Sequence, residues 1–140
     1  MDFFVSPEGR DEWSGGLADP NPGRTDGPFR TLERARDAAR AVGGREPRSN
    51  GDPTTVYLRG GTYFLEQPFV LKPEDSGTEA SPVTYAAYEG EKPVISGGRR
   101  IGGWQRAEGG LWKAQLPEVE SGQWYFRLLR TGNEWATALE

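Results

Sequence analysis

Hydrophobic positions fall into two kinds of pattern along the 140 residues. Only "GPFRTLERARDAARAVGG" (27–44) carries the three- and four-residue spacing of an amphipathic helix, with Leu32, Ala35, Ala39 and Val42 on one stripe. Thr31 is the expected N-cap, Glu33 meets the helix dipole in the first turn, and Gly43-Gly44 stop the helix. The predicted helix covers about 31–43. Its stripe is built mainly of small residues, so it can lie close to a flat surface.

Short β-type runs make up most of the rest. They are "DFFVS" (2–6), "TTVYL" (54–58), "TYFL" (62–65), "PFVL" (68–71), "VTYAAY" (83–88), "PVIS" (93–96), "LWKAQL" (111–116) and "WYFRLLR" (124–130). Glycine pairs separate several of them. Residues 7–28 form a long Gly- and Pro-rich loop, and 45–53 a polar linker. "VYLRGGTYFLEQPFVL" and "VTYAAYEGEKPVISGG" share a strand–turn–strand layout at an offset of 27 residues, Val56 to Val83, near one coil of a β-solenoid. The runs are almost continuously apolar or β-branched, which suits parallel strands.

These patterns leave the helix two readings. It plugs the open end of a solenoid, or it packs on one face of an ordinary sheet in an α+β domain.

Composition narrows the function. Gly 20 and Pro 11 mean many turns, while Trp 5, Tyr 5 and Phe 6 argue for a packed core. The net charge is −4 and the only adjacent basic pair is Arg99-Arg100, which argues against nucleic acid as a partner. With neither Cys nor His, the chain cannot build a thiolate nucleophile, a Ser-His-Asp triad or an imidazole metal site. No run reaches the length of a membrane span.

The chemistry-bearing candidates are few. Glu74-Asp75, Glu89 with Glu91, and Asp11-Glu12 read as solvated turn carboxylates rather than a catalytic pair, with Asp75-Ser76-Gly77 as a side-chain-capped turn. "DPNPGRTDG" offers Asp19, Asn21 and Asp26 as a weak metal set. Arg24 and Arg30 stand where an EF-hand needs Gly and Glu, so only a looser calcium site remains open and no cofactor is expected. "GGRRIGGW" lacks the Lys-Ser/Thr of a phosphate loop. Trp13, Trp104, Trp124 and Trp135 are the candidate sugar-stacking residues, whereas strand alternation puts Trp112 on an apolar, core-facing side.

Taken together, "FVSPEGRD" (4–11), "DGPFRTLERARDAAR" (26–40), "VYLRGGTYFL" (56–65) and "PVTYAAYEGEKPVISGG" (82–98) resemble the N-terminal part of right-handed parallel β-helix proteins of the pectate-lyase-like superfamily. "GGW" (102–104) with "GLWKAQLP" (110–117) resembles the segment that follows the early coils in bacterial members similar to glycoside hydrolases. The resemblance implies a mostly β chain, opening a β-helix, with one capping helix. Residues 1–104 would form the cap and first coils; the truncated strands of 105–140 either continue the coil or form a separate small β unit, the latter favoured because Gly pairs interrupt a 27-residue register. It implies a parent that is a secreted or periplasmic glycoside hydrolase or polysaccharide lyase, with any leader outside this sequence and the catalytic carboxylates on later coils.

On this reading the chain is a non-catalytic capping region whose partners are the remaining coils and a polysaccharide. The alternative is a stand-alone carbohydrate-binding module using exposed tryptophans. An uncovered strand edge would drive self-association. Leu139-Glu140 reads as a cloning remnant.

Overall fold

Alternation along the first two strands orients the core. In β1 (Asp2–Val5), Phe3 and Val5 are buried and Phe4 faces outward. In β2 (Thr54–Leu58), Thr54, Val56 and Leu58 are buried while Thr55 and Tyr57 face outward. The computed structural model describes residues 1–43, 53–131 and 134–137. Most of the polar linker therefore lies outside the described residues, as does Leu139-Glu140.

The chain divides into two compact units, Met1–Arg99 and Arg100–Glu140, where the sequence pattern places the change at 104/105. In the first unit β1, β2 and β4 (Val83–Ala87) form a parallel sheet in the order β1-β2-β4. A second parallel sheet pairs β3 (Gly61–Phe64) with β5 (Pro93–Ser96). Each repeat thus contributes one strand to each sheet across a turn. The ladder corrects the expected offset. Thr54 pairs with Val83, a step of 29 residues, and Gly61 with Pro93, a step of 32. The second repeat spends the extra residues in its turn, between Ala87 and Pro93.

Helix α1 (Leu32–Gly43) starts where Thr31 places it, with the Arg34 amide donating to Thr31 Oγ1 at 3.2 Å. Its buried residues are Leu32, Ala35, Ala38 and Ala39. Ala38 replaces the expected Val42, which is 43% exposed. These alanines join Phe3, Val5, Phe29, Val56, Leu58 and Tyr63 in one core, and the helix touches β1 and β2. Its charged side is not simply solvated. Arg40 grips Asp75 through Nε and NH2 at 2.8 and 2.9 Å, and Arg36 donates to the Val70 carbonyl at 2.9 Å. Asp75 is therefore no free turn cap. It closes a 3₁₀ turn (Pro73–Asp75), and the Arg40 guanidinium holds its carboxyl below the usual range.

The long loop is fixed by its backbone. Phe4 N donates to Gly15 O, Phe29 N to Phe4 O, and Ser6 N to Phe29 O, each at 2.8 Å. The loop thereby occupies the outer edge of β1, which would otherwise expose unpaired backbone groups. Pro28 and Phe29 are fully buried beneath it. Asp11 ties loop to helix, accepting from Arg30 N and Thr31 N at 2.9 Å and from Thr31 Oγ1 at 2.8 Å. This carboxylate, expected in solvent, caps the helix start. Asp11→Ala is expected to lower stability by about 1–2 kcal/mol, measured by urea denaturation.

Two expected strands dissolve. Residues 68–71 lie outside any strand, since Pro68 and Pro73 cannot donate to a ladder. Of "LWKAQL" only Trp112–Lys113 is strand, as β7. In the second unit β6 (Gln105–Arg106) pairs antiparallel with β7. A one-turn helix α2 (Pro117–Glu120) precedes the antiparallel pair of β8 (Leu128–Thr131) and β9 (Glu134–Thr137).

Candidate functional site

The N-terminal loop spends its polar groups on itself. Asp26 accepts from Ser14 N and Ser14 Oγ at 2.8 Å and from Gly27 N at 2.9 Å. The Ser14 backbone hydrogen bond, more than any other contact, holds its carboxyl below the usual range. Asn21 Oδ1 accepts from Thr25 N and Asp26 N at 2.9 and 3.3 Å. Asp19 turns away to Arg59, 2.8 Å distant. The structure thus disperses Asp19, Asn21 and Asp26 instead of converging them. Among the described residues no three or more acidic groups are arranged to hold a metal.

Tryptophan placement revises the sugar candidates. Trp13 is 7% exposed, with the Arg10 guanidinium over its ring at 5.3 Å and Gly27 packed against it. It presents no open stacking face and supports the loop. Trp104 is 42% exposed, its Nε1 donating to Ile101 O at 3.0 Å. Trp124 is half-buried and stacks on Phe126 at 5.0 Å. Trp112 is 63% exposed, against the expectation of a core position. A two-residue ladder gives it no inner face to occupy. The side chain of Trp135 lies outside the described residues.

The residues that converge most closely sit on the outer face of the β1-β2-β4 sheet and its turns. Phe4 stacks on Tyr57 at 5.6 Å, and Tyr88 meets both rings edge-on at 5.6 and 6.0 Å. Arg59 lies over Tyr88 at 4.8 Å. Its Nε and NH2 donate to Glu91 at 2.9–3.0 Å, and NH1 donates to Asp19 and the Ala18 carbonyl. Gly60 N also donates to Glu91. One guanidinium therefore joins the long loop to the turns of both repeats. Arg59 holds the Glu91 carboxyl below its usual range, and Glu91 and Asp19 push the Arg59 guanidinium up. Beneath it, the Tyr63 hydroxyl lies 2.9 Å from Val5 O and 2.7 Å from Arg59 O, and burial raises it to about 12.

Glu91 reads from sequence as a solvated turn residue, yet a signal for its role exists. Arg59 and Glu91 are separated by the same 32 residues that separate Gly61 from Pro93 in the second ladder. Equivalent turns of successive repeats place them side by side.

The three depressed carboxylates set an acid response. A folded-state value below the ordinary 3.8 of Asp26 and Asp75, or 4.5 of Glu91, stabilises the fold above those values. That stability is lost as pH falls through the lowered values. The urea midpoint is expected to hold from pH 7 to about 5 and to drop below about pH 4. Asp75→Asn should be less stable at neutral pH and lose less on acidification.

An open cleft of about 710 Å³ lies between the start of α1 and the second sheet. Pro7, Arg30, Glu33, Phe64, Glu66 and Gln67 are among its lining residues.

No family model matches the chain. The chain is 37% identical over 95 residues to the uncharacterized protein YwoF of Bacillus subtilis, covering 68% of this chain and 15% of that protein. It is 33% identical over 96 residues to pectate lyase PEL9 of Emericella nidulans, covering 69% of this chain and 18% of that enzyme. Among solved structures, a glycoside hydrolase matches with a TM-score of 0.64 and 38% identity, covering 79% of this chain and 17% of that one. XylC in complex with xylose matches with a TM-score of 0.51 and 28% identity, covering 98% of this chain and 19% of that one.

The chain is therefore related to carbohydrate-active proteins. More narrowly, the relationship is pectate-lyase-like and extends to polysaccharide-degrading enzymes. It spans under a fifth of the length of each protein it matches. Among the described residues no helix is long and apolar enough to cross a membrane.

Proposed function

We propose that residues 1–99 are the non-catalytic N-terminal end of a secreted, polysaccharide-degrading parallel β-helix enzyme. The observation that carries this reading is the asymmetry of the sheet. The loop covers the outer edge of β1, whereas among the described residues no strand pairs with the far edge of β4. Further coils would continue on β4 and β5. The helix, seated on the same core as β1, closes the start, so the loop and helix act together as the cap. The parent's substrate belongs to the pectic or xylan-type polysaccharides, in keeping with the pectate lyase and the xylose-bound relative.

The test compares the longer parent with this chain in a product assay on pectate and xylan. The parent should release product, this chain alone should release none, and removing residues 1–43 from the parent should lower its melting temperature. Product from residues 1–140 alone would overturn the reading. The uncovered edge gives this chain a tendency to self-associate: Val94 and Ile95 of β5 are 53% and 54% exposed. Sedimentation should show concentration-dependent association.

The exposure of Trp104 and Trp112 favours a second reading, in which the second unit binds sugar through these rings. Oligosaccharide-induced shifts of their indole signals would separate it from a purely structural role.

A further inference from the structure

We infer that the cleft beside α1 is a binding subsite for a neutral polysaccharide chain, separate from any catalytic centre on later coils. Its volume of about 710 Å³ falls within the roughly 300–1,000 Å³ of small-molecule sites. Its lining gathers several polar groups that no other side chain occupies. Several charged side chains of the first unit are committed: Arg34 to Asp11 O, Arg36 to Asp37, Arg40 to Asp75, Arg59 to Asp19 and Glu91. Among the described residues, the side chains of Arg30, Glu33, Glu66 and Gln67 have no hydrogen-bond or ion-pair partner, and all four line this one cleft.

They offer guanidinium and amide donors and carboxylate and amide acceptors, the complement of a sugar's hydroxyl groups. Phe64, 45% exposed, adds an aromatic ring on the same lining, against which a pyranose C–H face can stack. Two carboxylates against one guanidinium leave the lining net negative. A uronate chain is therefore repelled and an uncharged chain accepted. The position also fits a site that persists in a longer protein. No residue of β5 lines the cleft, so coils added on β5 leave it open. Pro7 and the start of α1 also line it.

The inference rests on the carbohydrate-active relationship but not on the capping role, and its test reads them apart. ¹⁵N–¹H spectra of this chain are titrated with xylotetraose and, separately, with tetragalacturonate. Xylotetraose is expected to shift signals of Arg30, Glu33, Phe64, Glu66 and Gln67, with tetragalacturonate much weaker. Phe64→Ala should weaken binding on the order of tenfold. Glu66→Gln should narrow the preference for the neutral sugar, because it removes a repelling charge. Both positions are exposed, so a dispersed spectrum of each variant confirms folding. No cleft shifts, stronger binding of tetragalacturonate, or shifts confined to Trp104, Trp112 and Trp124 would each overturn the inference. None of these would touch the capping role, which stands or falls on the parent's response to loss of residues 1–43.

Discussion

Phe29→Ala is expected to lower the stability of this chain by about 4 kcal/mol, a large share of the roughly 5–15 kcal/mol available to a domain. Phe29 is fully buried, 5.9 Å from the Phe3 ring and 4.6 Å below the Arg34 guanidinium. Its backbone pairs with both Phe4 O and Ser6 N. Truncation leaves a cavity at the point where loop, β1 and α1 meet, so none of them can collapse into it without losing the others' contacts. Phe29→Leu should recover about half of the loss, since it refills much of the volume. Urea denaturation followed by far-UV circular dichroism gives the comparison. A loss under about 1 kcal/mol for Phe29→Ala would mean that loop and helix do not share a core with β1.

Gly15→Ala carries the second largest effect, about 3 kcal/mol by the same measurement. Gly15 has a φ of 71°, where a side chain is strained, and an added Cβ would lie 2.2 Å from Cε2 of Phe29. The ring cannot retreat, because it is enclosed on all sides. Gly23→Ala is the control. It lies in the same loop, and its added Cβ would meet nothing closer than Thr25 Cγ2 at 3.8 Å. Near-equal effects of the two would show that Gly15 does not bear on Phe29.

Local signals that depend on neighbours in sequence were legible. Thr31 and the Leu32–Ala35–Ala39 spacing give the helix its start and face, while the Gly44 of the expected stop lies outside the described residues. "TTVYL" and "PVIS" match β2 and β5 residue for residue. Signals that depend on long-range partners were less so. Aligning Val56 with Val83 follows chemical similarity, whereas the ladder pairs Val56 with Tyr85, because the register is set by core filling and by the turns. Val42 lies on the helix stripe but is exposed, and Ala38, between the stripe positions, is used instead.

The candidate site was read less well than the fold. Gly- and Pro-rich surroundings point these carboxylates to solvent, yet Asp11, Asp75 and Glu91 each answer a donor at least 19 residues away. Only Glu91 had a readable cue, the repeat offset shared with Arg59. The cleft had none, since Arg30, Glu33, Glu66 and Gln67 come together only when α1 and β3 dock on one core. Trp112 shows the limit of alternation: a strand face is an inner face only where a second layer exists to cover it.

Amide hydrogen exchange on this chain tests the central claim most directly. The capped edge predicts that the Phe4 and Ser6 amides, bonded to Gly15 O and Phe29 O, exchange as slowly as those of β2. The open edge predicts fast exchange at Tyr85 and Ala87, whose amides alternate away from β2. Fast exchange at Phe4 and Ser6, or equal protection of Tyr85 and Ala87 in the monomer, would contradict a fold that is closed at its start and open for continuation.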